Sequence, residues 1–306
     1  MLIQLLTPVN CERRIVTSVH APSVAEQIRS QLETLTTAER RAARMLLANY
    51  PMLGLETVAE FSSRCGVSSP TILRFIARLG FAHYPDFQRR LREEVEAQLK
   101  SPLAKAEPAA STGRLPSHVA FAAAASENIT ETFRHMPEAE FEAVAALIAD
   151  PKRRLHLLGG RFTDAVARYM AAHLTILRPA VRHVDGQPGN WRDQLVDIGR
   201  RDVLLVFDIR RYQEDLLAHA QAMTERQASV VLVTDQWLSP IAHVARHVLP
   251  ARIEVPSAWD SSASLLVIVE ALIAAVTARN WPAVKRRIGS LERLRPPLAV
   301  DATDRS

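Results

Sequence analysis

Two textures divide this chain, and they limit what it can fold into. From Pro22 to about Lys100 apolar residues recur at helical spacing among strong helix formers, and nothing reads as a strand. From Leu155 onward short apolar runs alternate with helical stretches: Leu155–Leu158, Val181–Val184, Val203–Phe207, Val230–Val233 and His247–Leu249. Runs apolar on both faces are expected of a parallel sheet covered by helices, since alternation would mark a half-exposed strand. An all-α unit followed by an α/β unit is therefore expected, and 306 residues suffice for two cores. Domain limits follow the texture: a helical domain at 22–100, a linker at 101–116, an α/β domain with a five-stranded parallel sheet at 117–280 and a tail at 281–306. The linker, Ser101 to Pro116, is rich in Pro, Ala and Ser and has no apolar period.

The helical unit has recognisable punctuation. Thr36-Thr37-Ala38-Glu39 is a capping signal for a helix that Pro51 must end. A second helix over about Glu56 to Arg64 meets a turn at Cys65-Gly66-Val67, and a third opens at Ser68 with Pro70 in its first turn, where a missing amide costs little. A last helix runs from Asp86 to Leu99. Helix, glycine turn, helix has the proportions of a helix-turn-helix: Gly66 for the left-handed turn, Val67 as core plug and Ala59 as the small residue beneath the crossing helix. With Ile72, Phe75 and Leu79 buried, Ser69, Thr71, Arg74 and Arg78 are expected to face outward, with Ser68 at the helix start, toward phosphates and base edges. Between Arg64 and Arg92 six arginines stand against Asp86, a local charge of six minus one, or +5, which suits a polyanion. The bland alternative is a solvated bundle with incidental arginines.

In the α/β half, ligands are expected beyond the carboxyl ends of the strands. The loop after the first run carries Gly159, Gly160, Arg161 and Thr163, that after the third carries Asp208, Arg210 and Arg211, and that after the fourth carries Asp235. Ser261 follows the last strand and is expected either to cap the helix to Ala278 or to join the site. Asp208 with two arginines is suited to a hydroxyl or amine together with a carboxylate, or else Asp208 pairs with Arg210 or Arg211 across a dimer interface.

Other function classes find no support in the sequence. Cys11 and Cys65 lack metal-ligand spacing, His243 and His247 lack a third ligand, and no phosphate loop, nucleophile elbow or dinucleotide fingerprint occurs. No metal and no cofactor is expected. The longest apolar run, Ala263 to Ala278, is short for a bilayer and includes Glu270, so a soluble cytoplasmic protein is expected. The net charge of +5 favours an anionic partner.

The run LTTAERRAARMLLANYP, then TVAEFSSRCGVSSPTILRFIARLGFAHYPDFQRRL, resembles the N-terminal domain of the RpiR family of regulators. That resemblance implies a following SIS (sugar isomerase) domain, and the order of loops from about Val119 to Ala278 is similar to one. Thr163 occupies the place of the hydroxyl residue in the family's first loop. Asp208-Ile209-Arg210-Arg211 replaces the Ser-x-Ser-Gly run that binds sugar and phosphate. The family implies a regulator, expected to repress a catabolic operon. Its expected partners are a double-stranded operator, a small effector (a sugar phosphate, sugar acid or other small acid) and itself, as homodimer or homotetramer. The alternative is a SIS-domain sugar-phosphate isomerase, whose base candidates, Glu270 in mid-helix and His156 within a strand, are poorly placed.

Overall fold

In the computed structural model, residues 22–99, 101–106, 117–186 and 188–294 are described. Residues 107–116 of the expected linker and 295–306 of the expected tail lie outside them, as does Cys11.

Among the described residues six helices form the N-terminal unit: α1 (Val24–Gln31), α2 (Thr37–Ala48), α3 (Met52–Leu55), α4 (Val58–Cys65), α5 (Ser69–Arg78) and α6 (Tyr84–Leu99). The local chemistry sets their starts. Ser23 with Glu26, Thr36 with Glu39 and Thr57 with Glu60 each close a reciprocal capping box, satisfying amides that a helix start otherwise orphans. Only the second was read from the sequence. Gly66 ends α4 in the left-handed region at φ 59°, where the Arg41 guanidinium donates to the Cys65 and Gly66 carbonyls. Phe61, Ile72, Phe75 and Phe87 fill the core between these helices and are completely buried.

Helices α7 (His118–Arg134) and α8 (Glu138–Ala149) lead into the sheet. Strands β1 (Arg154–Gly159), β2 (Val181–His183), β3 (Asp202–Asp208), β4 (Ser229–Asp235) and β5 (His247–Ala251) are all parallel, in the order β2-β1-β3-β4-β5. Between them run α9 (Asp164–Leu177), α10 (Pro188–Asp193) and α11 (Glu214–Glu225). Helix α12 (Ala263–Arg279) follows, and then α13 (Trp281–Leu294), so the first half of the segment read as a tail is a helix that buries Val284. Alternate residues of β3 serve opposite faces. Val203, Leu205 and Phe207 join the core under α8, α9 and α12, whereas Leu204 and Val206 join α11.

The α11 face continues into the helical unit. Val24 and Ile28 of α1 share a buried cluster with Ile241 and Val248 of the sheet domain. Across this seam Glu26 accepts two hydrogen bonds from Arg252, 2.8 and 3.0 Å, with both side chains under 10% exposed (6% and 8%). Arg29 also donates to the Val248 carbonyl at 3.1 Å. The two textures of the sequence are thus two units with a shared, partly ionic boundary.

Candidate DNA-binding face and ligand cleft

Helices α4 and α5 form the helix-turn-helix. At their crossing the Ser62 and Ser69 hydroxyls meet at 3.1 Å, and Ser62, four residues before Gly66, is the small buried residue. Ala59, expected in that role, is exposed, because it lies one turn earlier on the outer side of α4. Val67 packs against the core as expected. Thr71 is a second correction: it is only 7% exposed, and its hydroxyl joins Ser68 at 2.9 Å and accepts from Arg74. Ser68, Pro70, Leu73, Arg74, Ala77 and Arg78 form the open face of α5. Arg78 is tethered, donating to the Thr34 carbonyl and lying 3.5 Å from Glu39. Leu73, 47% exposed, was missed; a large aliphatic residue off the buried stripe was the available signal. The +5 of the segment is partly neutralised within the fold by acids from outside it, since Arg64 pairs with Glu56, Arg78 with Glu39 and Arg90 with Glu94.

The candidate ligand cleft lies at the carboxyl ends of β1 and β3. There the strand order reverses, so the two loops diverge and leave a crevice. The cleft holds about 550 Å³, ample for a small metabolite. Gly160, Arg161 and Thr163 line it from the first loop and Asp208, Arg210 and Arg211 from the second, with Trp259, Asp260 and Ser262 closing the far side.

Three expected ligand residues do other work. Gly159 is required for packing, since a Cβ there would lie 2.5 Å from the Asp164 backbone. Ser261 caps α12 by accepting from the Ala263 amide, and its neighbour Ser262 lines the cleft. Asp235 is completely buried and accepts from the Arg210 amide, the Tyr212 hydroxyl and the Trp237 amide, organising the Arg210 loop from below. Burial pushes its carboxyl up to about 6.

The cleft's charged groups are also occupied. Asp208 is buried against the Ser239 hydroxyl, and burial raises its carboxyl to about 7. Arg210 is 1% exposed in its side chain, stacks 4.2 Å from the Trp237 ring, donates to Glu254 at 3.0 Å and lies 3.5 Å from Asp260. Asp260 in turn takes Lys105, of the segment read as linker, at 2.6 Å. The expected clamp of Asp208 and Arg210 on one ligand is thus corrected: each already has an internal partner. Arg161 and Arg211 are exposed, and Arg211 is held at φ 68°, a strained position for a residue with a Cβ.

Among the described residues no cluster of His, Cys, Asp and Glu could hold a metal, and no single helix is long and apolar enough to cross a membrane. His247 pairs with Glu140.

Known proteins agree with this division. Residues 23–98 match the model of the helix-turn-helix domain of the rpiR family, and residues 147–275 match the SIS domain. The chain thus carries an rpiR-type helix-turn-helix domain followed by a SIS domain. Over 73 residues, 24% of the chain, it is 32% identical to the HTH-type transcriptional regulator HexR of Pseudomonas aeruginosa, and over the same length 32% identical to HexR of Escherichia coli. It spans about a quarter of the length of these curated relatives, 26% and 25%. The sugar isomerase domain of an RpiR transcription factor from Sphaerobacter thermophilus superposes with a TM-score of 0.52 at 24% identity, covering 57% of this chain and 97% of that one. The Vibrio vulnificus NanR protein, complexed with ManNAc-6P, superposes at 0.51 with 16% identity over 90% of this chain and 99% of that one. Both likenesses concern the fold.

Proposed function

We propose that this chain is a DNA-binding transcription regulator whose operator affinity is set by a small anionic metabolite in the cleft between β1 and β3. One observation carries the reading: a helix-turn-helix with an open, arginine-bearing face on α5 is joined, in one chain, to a cleft at a topological switch point. Ser68 and Arg74 make the operator contacts, with Leu73 placed to meet thymine methyl groups, whereas the hydroxyl of Ser69, expected to face outward, is turned to Ser62 at the helix crossing. Thr71 supports Arg74 from beneath. Arg78 joins them only by leaving Thr34 and Glu39.

Effector binding reaches the DNA-binding unit through the groups already tied to the cleft wall. Arg210 holds Glu254 and Asp260; Asp260 holds Lys105, and the Glu254 carbonyl holds Asn128 of α7. A ligand anion that draws Arg210 away from the two carboxylates alters the seat of Lys105 and hence the path between the units. In this reading the protein is a cytoplasmic repressor of a catabolic operon, and two copies associate through the SIS domain to match a two-fold operator.

The isomerase reading has one observation in its favour: Asp208, at about 7, lies in the range of a general base. Its position opposes the role, since it is 2% exposed and occupied by Ser239. His156 is bound to Asp202, and Glu270 accepts from Tyr169 on α9, so neither faces the cleft.

A gel shift with the full chain and the DNA upstream of its own gene and neighbouring genes tests the proposal. A discrete complex that survives excess unrelated DNA is expected. Equal competition by unrelated DNA removes the regulator reading.

A further inference from the structure

The amino ends of the strands, opposite the cleft, form an edge of unbalanced charge. The turns that lead into the five strands, residues 150–153, 178–180, 198–201, 226–228 and 244–246, hold seven basic residues against one acid, Asp150. Counting Asp197 and Glu225, which close the elements just before two of these turns, leaves seven against three. Asp202, at the head of β3, is matched by Arg154. The loops that leave the strands on the cleft side are nearly balanced, four basic residues against three acids.

Internal bonds orient part of this charge without cancelling it. Arg153 donates to the Arg200 carbonyl and lies 3.5 Å from Asp150, Arg226 donates to the Ala222 carbonyl, and Arg178 to the carbonyls of Ile148 and Asp150. A neutral carbonyl fixes a guanidinium and leaves its charge in place. Four cations have no such tie. Lys152, Arg201 and Arg246, from the turns, and Arg182, on β2, are exposed, and their side chains make no hydrogen bond or ion pair among the described residues. In the order β2-β1-β3-β4-β5 they reach from one edge strand to the other, four strand intervals or roughly 19 Å. Over that length duplex DNA presents about eleven phosphate charges.

The edge shares one end of the molecule with the end of α5. Helix α1 runs antiparallel to β5: Glu26 meets Arg252 just past the carboxyl end of the strand, and Arg29, further along the helix, reaches the Val248 carbonyl near its amino end. The chain after α1 therefore continues toward the amino edge. Arg78, the last residue of α5, is tied there to the Thr34 carbonyl, and α2 packs against the turn Pro240–His243 that precedes β5.

We propose that the amino edge of the sheet is a second DNA-backbone contact, in which Arg246, Arg201, Lys152 and Arg182 meet phosphates of the duplex that α5 reads. The proposal rests on the reading of the chain as a DNA-binding regulator. It assigns affinity and not sequence choice to these four residues, because phosphates carry no base information.

Anisotropy titrations of the full chain across a salt series, on the DNA upstream of its own gene and on a scrambled duplex, test it with the variant Lys152→Ala/Arg182→Ala/Arg201→Ala/Arg246→Ala. Each phosphate contact contributes roughly 0.9 to the slope of log affinity against log salt, so the variant's slope is expected to be shallower by about 3. Binding should weaken by about 10-fold or more on both duplexes, with the preference between them unchanged. Lys152→Arg/Arg182→Lys/Arg201→Lys/Arg246→Lys, which keeps the charge, should keep the wild-type slope. Should the fourfold Ala variant not fold, Lys152→Ala/Arg201→Ala and Arg182→Ala/Arg246→Ala replace it, each expected to remove about half of the change. A slope within about 0.5 of wild type, or an equal loss in the charge-keeping variant, would overturn the proposal. So would pelleting of the wild type, but not of the Ala variant, with phosphatidylserine vesicles while the slope on DNA is unchanged, since the edge would then belong to a lipid surface. Slopes are read on both duplexes, so a wild type without preference for the upstream DNA sinks the regulator reading alone, and the slopes still decide the edge.

Discussion

The face of α5 and the cleft of the sheet domain use arginine in opposite ways. Arg74 is exposed on a helix whose other side is core and donates to Thr71, whereas Arg210 is enclosed, stacked and paired with two carboxylates. On α5 the surroundings contribute orientation and solvent does the rest, which suits a long, salt-dependent DNA interface. In the cleft the surroundings fix the guanidinium before any ligand arrives, which suits a small ligand that must be chosen by shape and charge. An open arginine adds affinity for many polyanions. A pinned one selects.

This contrast can be broken at the seam between the units. Glu26 and Arg252 are buried against each other, so Glu26→Ala leaves a cation without its main partner and should destabilise the full chain by about 3–5 kcal/mol. Chemical denaturation of Glu26→Ala, Arg252→Ala and the double variant checks this. The double variant should cost less than the sum of the two, and strict additivity would deny the coupling.

Next in size is a pH effect in the cleft. Burial holds Asp208 at about 7, well above its unfolded value near 3.8, so the folded state binds the extra proton. Stability from that proton is complete below pH 3.8 and fades as pH rises through 7. Asp208→Asn, which cannot ionise, should therefore gain thermal stability relative to wild type as pH rises from 3.8 to about 7 and hold that gain above it, by at most about 4 kcal/mol. A stability difference independent of pH would show that the carboxyl is ionised in the fold.

Smaller changes sharpen the DNA-binding side. Arg74→Ala should weaken operator binding by about 1–3 kcal/mol if it reads a base, and Arg78→Ala less, because Arg78 is held by Thr34 and Glu39. Anisotropy titrations of the two variants would order them, and equal losses would contradict the tether. Gly66→Ala should cost about 1 kcal/mol in folding stability, since φ 59° suits glycine; thermal unfolding reads it directly.

The helix-turn-helix was legible because its signals are local. Thr36 and Glu39, Gly66, Pro70 and the spacing of Ile72 and Phe75 each announce a cap, a turn or a buried stripe within a few residues. Thr71 misled because periodicity places it near the edge of the stripe, where the Ser68 hydroxyl rather than helical phase decides its burial. Strand positions were legible for the same local reason, and with them the loops that form the cleft. The partners within the cleft were not. Glu254, Asp260 and Trp237 come from loops 27–50 positions beyond Arg210, the residue they hold, and nothing in their spacing points to it. Lys105 reaches Asp260 across 155 positions, so the seat of the interdomain segment emerges only from the tertiary fold.

The central claim is that α5 reads a particular DNA sequence. Fluorescence anisotropy of the full chain on the DNA upstream of its own gene and on a scrambled duplex, across a salt series near physiological ionic strength, measures this most directly. Roughly 1,000-fold or greater preference for the upstream DNA is predicted. Affinity should fall steeply with salt on both duplexes. Equal affinity for both duplexes at every salt concentration would contradict the account.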